Sequence, residues 1–331
     1  LTIRKSDYEN YDYREFWESG KRIYEDKSER LALRKFLSGA KENNKLFLDI
    51  GCGYGRLFNE YKNFKNIVLV DYSLRNLKAA RDSISNFLKF DENKLSSIHF
   101  VAADASRLPF RSGCADVILT VRVVHHLNYP EKYFDEVSRV LKNEGLYFLE
   151  FANKRNLKNI LKYAVGRMDT SPFNMTPSQI GETILNFHPK HIIDILEKRG
   201  FDVREMISVS NFRIGFLKNN ISVNTLLFFE RVYQKFFSSV PFGPSVFLNS
   251  ILERKKDDAG QAASSSSHRL MLDNNGRIIQ PPKKGNKINP EDILICPHCK
   301  KDNLVFGKNK IFCNECSRTF QIENGIYNFK N

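Results

Sequence analysis

Leu46-Phe47-Leu48-Asp49-Ile50-Gly51-Cys52-Gly53-Tyr54-Gly55-Arg56-Leu57 passes from a short apolar run, through three alternating glycines, into the start of a helix. Glycine tolerates positive φ and lets a ligand come close to the backbone. Such a loop on its own fits several nucleotide-binding chemistries, or only a tight turn. Its neighbours narrow the choice. Further apolar runs lie at 66–70, 97–102, 115–121 and 145–151, each short and most apolar on both faces, as buried parallel strands are. Helical patterns fill the intervals at 54–61, 74–90 and 131–142, the last with Tyr133, Phe134, Val137, Val140 and Leu141 at helical spacing. This alternation predicts right-handed βαβ units and an open parallel sheet covered on both faces. Beyond it, an amphipathic helix over 189–199 closed by Gly200, a strand over 201–210, a helix over 226–237 and a strand over 245–252 are expected.

Three acids sit where these strands end. Asp71 closes the second run, 20 residues after Gly51, and a carboxylate there can accept both hydroxyls of a ribose. Asp49 immediately precedes the glycines, where its charge would oppose a diphosphate but favour a ligand carrying an ammonium and a sulfonium. Asp104, after the third run, can accept from an exocyclic adenine amine. Together they suit a cationic, adenosine-bearing molecule better than a dinucleotide.

The 331 residues, 41% hydrophobic and 27% charged, suggest about two domains with ample core. No run of 18 apolar residues is present, so a spanning helix is not expected, and the polar, tyrosine-rich start argues against a secretory signal. A cytoplasmic location follows as an expectation. The formal charge is +14, divided as +3 over 1–150, +6 over 151–250 and +5 over 251–331. A basic excess favours anionic partners, and here it lies outside the half that holds the acids. Aromatic and basic residues before the first strand (Tyr8, Tyr11, Tyr13, Arg14, Phe16, Trp17, Lys21, Arg22, Tyr24) suit either a lid over the site or a helix packed on the sheet edge.

Four of the six cysteines cluster as Cys296-Pro297-His298-Cys299 and Cys313-Asn314-Glu315-Cys316. Two Cys-x-x-Cys knuckles turn four thiolates toward one point, with zinc the expected ion and iron its rival on sulfur ligands alone. Four thiolates leave no open position, so the ion would be structural, flanked by short strands at 293–295, 309–312 and 319–322. Between 256 and 291, serine, lysine, proline and glycine dominate, which reads as a flexible linker, with a possible hairpin at 271–279 around Asn275-Gly276. His188 and His191 form a pair without a third ligand and read as loop or pocket residues.

The loop from Asp49 to Gly55 resembles the first of a series of motifs in class I S-adenosylmethionine-dependent methyltransferases. The series continues with Val68-Leu69-Val70-Asp71, the stretch from Ala103 to Phe110, Asp116-Val117-Ile118-Leu119, Val123-Val124-His125-His126-Leu127, and Arg139 to Gly145. The type 11 subgroup is the most similar. The resemblance covers 40–152 and extends more loosely to 255. It implies an α/β fold with a Rossmann-like, mostly parallel seven-stranded sheet and helices on both faces. It implies S-adenosylmethionine as cofactor, with Gly51, Gly53 and Gly55 holding the methionine part and Asp49 orienting its ammonium. Asp71 would bind the ribose, Tyr72 would pack on the adenine, Asp104 and Ala105 would meet the adenine edge, and Val121 and Arg122 would lie near the reactive methyl. The Asn143-Glu144-Gly145 turn departs from the Pro-Gly-Gly common in the family. Residues 293–329 resemble a second family, the zinc-ribbon subunit that activates RNA and protein methyltransferases, which implies a Zn2+ held by Cys296, Cys299, Cys313 and Cys316. Tyr327 stands where that family commonly has proline. The ribbon is expected to dock on its own methyltransferase domain or on a partner protein.

Methyl transfer needs alignment, exclusion of water and, for a protonated nucleophile, a base. His125 and His126, after the fourth strand, are candidates, with strand capping as the alternative. The expected division is an N-terminal helical cap at 1–40, a catalytic domain at 41–255, the linker at 256–291 and the ribbon at 292–331. A small-molecule or lipid-like acceptor is slightly favoured, because no recognisable RNA-binding module lies in 151–250. The alternatives are an RNA methyltransferase acting on tRNA or rRNA, and a non-catalytic scaffold whose ribbon recruits partners.

Overall fold

The computed structural model describes residues 13–18, 20–40, 46–89, 91–254 and 287–330. Tyr8, Tyr11, the expected hairpin at 271–279 and all but the end of the expected linker lie outside the described residues.

Five strands, β1 (Leu46–Ile50), β2 (Asn66–Asp71), β3 (Ile98–Ala102), β4 (Ala115–Thr120) and β5 (Leu141–Ala152), pair in parallel in the order β3-β2-β1-β4-β5. After a small hairpin, β6 (Ser178–Ile180) with β7 (Ile184–Asn186), come β8 (Phe201–Val209) and β9 (Ser245–Leu252). β9 runs antiparallel between β5 and β8, so it alone reverses the direction of the seven-stranded sheet.

The apolar runs of the sequence divide by strand periodicity. Leu46, Leu48 and Ile50 face one layer, and Phe47 faces the other. The first layer holds α6 (Pro130–Val140) and α8 (Pro189–Glu197), through Tyr133, Phe134 and Val137, and through Ile192, Ile195 and Leu196. The second holds α2 (Ile23–Ser38), α3 (Phe58–Tyr61) and α4 (Leu74–Phe87). The short α1 (Tyr13–Glu18), α5 (Glu92–Leu95), α7 (Leu157–Ala164), α9 (Gly215–Asn220) and α10 (Val223–Phe236) lie around these layers.

Two expected helices are trimmed. The helix expected from residue 54 starts only at Phe58, because Gly53 and Gly55 have φ of 56° and 80°, which no α-helix accommodates. The helix expected to reach 142 stops at Val140, and β5 begins at Leu141 with Glu144 at φ 61° and a register shift against β4. At the C-terminus, residues 293–295 do not form a strand. Asn289 and Asp292 build a capping box around α11 (Pro290–Ile293), and Leu294 makes only an isolated bridge to Phe110.

The cysteine-bearing unit contributes β10 (Leu304–Phe306), β11 (Lys310–Cys313), β12 (Thr319–Glu323) and β13 (Ile326–Asn328). These are antiparallel among themselves, and β13 then pairs in parallel with β3, placing Tyr327 opposite Val101. The sheet is therefore continuous across eleven strands. Phe329 donates its N–H to Ala102 O at 2.7 Å, and Ile288 N donates to Asn66 Oδ1 at 2.9 Å. Ile293, Leu294, Ile311, Phe320 and Phe329 share one hydrophobic cluster with Val101, Leu108 and Phe110. Ion pairs reinforce the seam: Lys300 with Glu136 at 2.8 Å and Arg111 with Asp302 at 2.7 Å.

Candidate functional site

A cleft of about 600 Å³ opens at the carboxyl ends of β1, β2 and β4, where open α/β sheets bind ligands. Gly51, Gly53, Asp71, Tyr72, Asp104, Ala105, Val121, Arg122 and His126 all line it. A narrower crevice adjoins it, bounded by Asp49, Tyr54, Arg56 and Leu57 and sharing Gly51, Gly53, Val121 and Arg122 with the cleft. Gly55 belongs to neither wall. It faces α4, where a Cβ would meet Ala80 and Ile84 at 3.4 Å. Gly51 is needed for close approach: a Cβ there would sit 2.0 Å from Val123 Cγ2.

Asp71 is fixed from two sides. Gly53 N donates to Oδ2 and Ser73 N to Oδ1, both at 2.8 Å. Ser73 also caps α4, its hydroxyl accepting from Asn76 N, so carboxylate, turn and helix start are one unit. Asp104 is held by the N–H and hydroxyl of Ser106 at 2.8 and 2.7 Å.

Asp49 is buried, and Tyr61 donates its hydroxyl to Oδ2. Burial raises the Asp49 pKa to about 7, against the lowering effect of the Tyr61 hydrogen bond, with the nearby Asp71 charge adding to the rise. The crevice thus holds a carboxylate poised to become charged beside a cation.

Arg122 follows β4 with φ 61°, a conformation costly for a side-chain-bearing residue. Its partners hold it there: its N–H donates to buried Glu150 at 2.8 Å, and its guanidinium meets Glu29 and lies 4.8 Å from the Trp17 ring. Arg56 also pairs with Glu29 and stacks 3.8 Å from the same ring. Glu29 is fully buried, and the two arginines keep its carboxyl below the usual range despite burial. Helices α1 and α2 therefore close over the crevice through Trp17 and Glu29. Trp17 stood among the expected cap aromatics. Glu29 gave no signal in the sequence, because its role depends on a contact 93 residues away.

The two histidines part company. His125 is buried, its pKa well below the ordinary value by desolvation, and its Nδ1 has no hydrogen-bond partner among the described residues. His126 lies on the cleft wall, with Nδ1 3.0 Å from Thr183 O. A carbonyl only accepts, so Nδ1 donates and Nε2 is the acceptor nitrogen. Burial lowers its pKa, so the ring is neutral near pH 7. Tyr133, Lys132, Asn128 and Tyr129 complete this wall, none of them singled out as site residues from the sequence. Tyr133 is fixed by a hydroxyl contact with Thr120. His188 accepts from Lys190 N and caps α8, while His191 stacks on Phe187.

The four clustered cysteines bring their sulfurs within 4.8 Å of one another. Cys296 and Cys316 are 3.5 Å apart, and Cys299 and Cys313 are 3.6 Å apart. Sulfurs around a tetrahedral zinc stand about 3.8 Å apart, so the four thiols are grouped closely enough to converge on such an ion. The knuckles are built alike. Lys300 and Ser317 follow the second cysteine of each at φ 58°, and each donates its N–H to the carbonyl of the first at 2.9 Å.

A mostly parallel sheet with one reversed strand, and a cleft lined by acids at its carboxyl edge, define an open α/β fold with a ligand-sized site. Residues 48–149 match the family described as the methyltransferase domain. Among its relatives is an uncharacterized protein of Methanocaldococcus jannaschii, 36% identical over 137 residues, covering 41% of this chain and 51% of the relative. Another is a ubiquinone/menaquinone biosynthesis C-methyltransferase of Stutzerimonas stutzeri, 30% identical over 155 residues, covering 45% and 56%. The chain thus spans about half the length of each of these two relatives. Among solved structures, a complex between the Haloferax volcanii Trm112 methyltransferase activator and a methyltransferase aligns at 15% identity with a TM-score of 0.48, over 73% of this chain and 96% of that one.

Proposed function

We propose that the chain is an S-adenosylmethionine-dependent methyltransferase acting on a small-molecule or lipid-like acceptor, with a structural zinc ribbon bracing the catalytic domain in cis. The observation that carries this reading is Asp71, its carboxylate locked by Gly53 and Ser73 on the wall of the cleft. The methyltransferase domain match and the C-methyltransferase name of a relative support it.

The cofactor, when bound, supplies an electrophilic methyl group on a sulfonium. Asp71 takes the ribose hydroxyls, Asp104 and Ala105 meet the adenine edge, and Tyr72 packs on the ring. The backbone of Gly51 and Gly53 and the Asp49 carboxylate hold the methionine end in the narrow crevice. Val121 and Arg122 form the turn between crevice and cleft. His126 takes the acceptor's proton at Nε2 where the nucleophile carries one, and Trp17 with its two arginines excludes water from the methionine end. Cys296, Cys299, Cys313 and Cys316 hold Zn2+ with no open position, so the ion stabilises structure and does no chemistry.

Calorimetric titration with S-adenosylmethionine tests the cofactor, and labelled-methyl transfer to fractionated extract, with and without RNase, tests the acceptor. No binding at millimolar cofactor would reduce the chain to a scaffold, and label abolished by RNase would replace the proposed acceptor with RNA. His126→Asn is expected to lower kcat by roughly 10²-fold or more, within the range for a general base, with little change in cofactor affinity. An unchanged kcat would make His126 a wall residue only.

The Asp49 carboxyl sets a pH dependence. An ammonium ligand binds the charged form, so affinity rises with pH up to about 7, then levels. Below that point it falls by up to about tenfold per unit, and Asp49→Asn removes the slope. Folding responds in the opposite sense. Because the folded-state pKa is raised from 3.8, Asp49 makes the ligand-free fold lose stability as pH climbs from about 4 to about 7. Titrations across this range check both.

A further inference from the structure

The segment carrying the +6 excess has an outer surface that the methyltransferase reading leaves unused. Helix α7 buries none of its residues. It is nevertheless amphipathic, with Leu157, Leu161 and Val165 at helical spacing on one side and Lys158 and Lys162 beside them. Helix α10 buries Leu226, Leu227, Glu230 and Gln234. Its other side presents Phe228, Phe229, Val232 and Phe236 to solvent, Phe236 being 67% exposed. The loop that leads from α10 to β9 touches both helices: Leu157 N donates to Phe242 O at 2.9 Å, and Tyr233 donates its hydroxyl to Val240 O at 2.9 Å. Val240 and Phe242 are themselves exposed. One apolar face therefore runs from α7 across this loop to α10.

Its charge has one sign. Between residues 206 and 250 the sole acid is Glu230, and that carboxylate is buried, accepting from Tyr24, Ser28, Asn211 and Gln234. Between 153 and 168 there is no acid at all. Among the described residues, no carboxylate pairs with Lys158, Lys162, Arg167, Arg231 or Lys235. Exposed aromatic and aliphatic side chains among uncompensated cations are the composition of an interfacial membrane surface. A second copy would bring two sets of cations together. RNA would use the phenylalanines for stacking, but would gain little from Leu157, Leu161, Val165 and Val232.

The position is also informative. Ala152 at the end of β5 and Val209 at the end of β8 both pair with Ser245, so α7, α10 and the loop between them rise from the carboxyl edge of the sheet. The cleft opens at that edge. No helix among the described residues is long and apolar enough to cross a membrane.

We propose that the α7–α10 face docks the protein on an anionic lipid surface, burying its apolar side chains among the headgroups with the cations on the phosphates. Only the corollary, that the acceptor enters the cleft from the bilayer, rests on the proposed function. Lipid docking itself needs no cofactor.

Flotation of the full chain with vesicles tests this, in the absence of S-adenosylmethionine. The protein is expected to float with phosphatidylcholine vesicles containing about one-third phosphatidylglycerol, to stay behind with phosphatidylcholine alone, and to release in high salt. The Leu161→Asp/Phe236→Asp double variant is expected to lose affinity by at least about tenfold, and Lys158→Gln/Lys162→Gln by several-fold. Both should keep the wild-type circular dichroism. No flotation with anionic vesicles, or equal flotation of the double variant, overturns the proposal. So does binding of polyuridylate, or a dimer in light scattering, that the same substitutions abolish while vesicles are ignored. If no cofactor binds but flotation holds, the methyltransferase reading fails and this one stands.

Discussion

Asp71→Ala is expected to weaken S-adenosylmethionine binding by roughly 10²-fold to 10⁴-fold, reducing it below detection in an ordinary titration. Two hydrogen bonds from ribose hydroxyls to a carboxylate are worth about 1.5–3 kcal/mol each, because the acceptor is charged. The same carboxylate also accepts from Gly53 N and Ser73 N, so alanine leaves two backbone donors without their partner and loosens the glycine loop. Asp71→Asn separates the two contributions. It keeps the shape, but presents an amide group that cannot accept on one side, and an intermediate loss is expected. The pH profile gives a second readout. Asp71 contributes to raising the pKa of Asp49, after burial. Its removal should therefore move the Asp49 midpoint below 7. A variant that binds like the wild type would refute both the ribose role and the cofactor assignment built on it.

The central fold was legible because its determinants are local. Runs of five or six apolar residues, glycines at 51, 53 and 55, and acids at 49, 71 and 104 declare strands and their ends without reference to distant contacts. The placement of Asp71, Asp104, Val121 and Arg122 along one cleft follows from the βαβ register. What was not legible is non-local. Trp17 could be read as lid or packing. The structure places it beside Arg56 and Arg122, both of which the buried Glu29 binds. His125 and His126 are chemically identical in sequence, and only a 3₁₀ turn (Val124–His126) puts one in the core and the other on the wall. β13 escaped notice because Ile326-Tyr327-Asn328 is too short to declare itself, and its place in the sheet depends on β12 on one side and the edge of β3 on the other.

That edge makes zinc removal the second large perturbation. Chelation, or Cys299→Ser, is expected to lower the melting temperature by about 10 °C or more, since structural zinc sites contribute on the order of 10 kcal/mol and part of that is shared with packing. The effect should reach beyond the ribbon. Without the metal, the two knuckles have no common centre, and β10 to β12 are short strands around Ile311 and Phe320. As they loosen, β13 leaves β3, and Phe329 leaves the cluster it shares with Val101 and Phe110. An unpaired, apolar β3 edge then invites association between chains. Loss should also reach the cleft, because Lys330 lies 5.0 Å from the Tyr72 ring and β3 carries the turn to Asp104. Metal analysis should give one zinc per chain. Calorimetry before and after its removal, with light scattering and a cofactor titration alongside, checks the chain of effects. If the zinc-free protein melted at the same temperature, stayed monodisperse and bound cofactor equally, the shared core alone would hold the ribbon, and the metal would be dispensable to the fold.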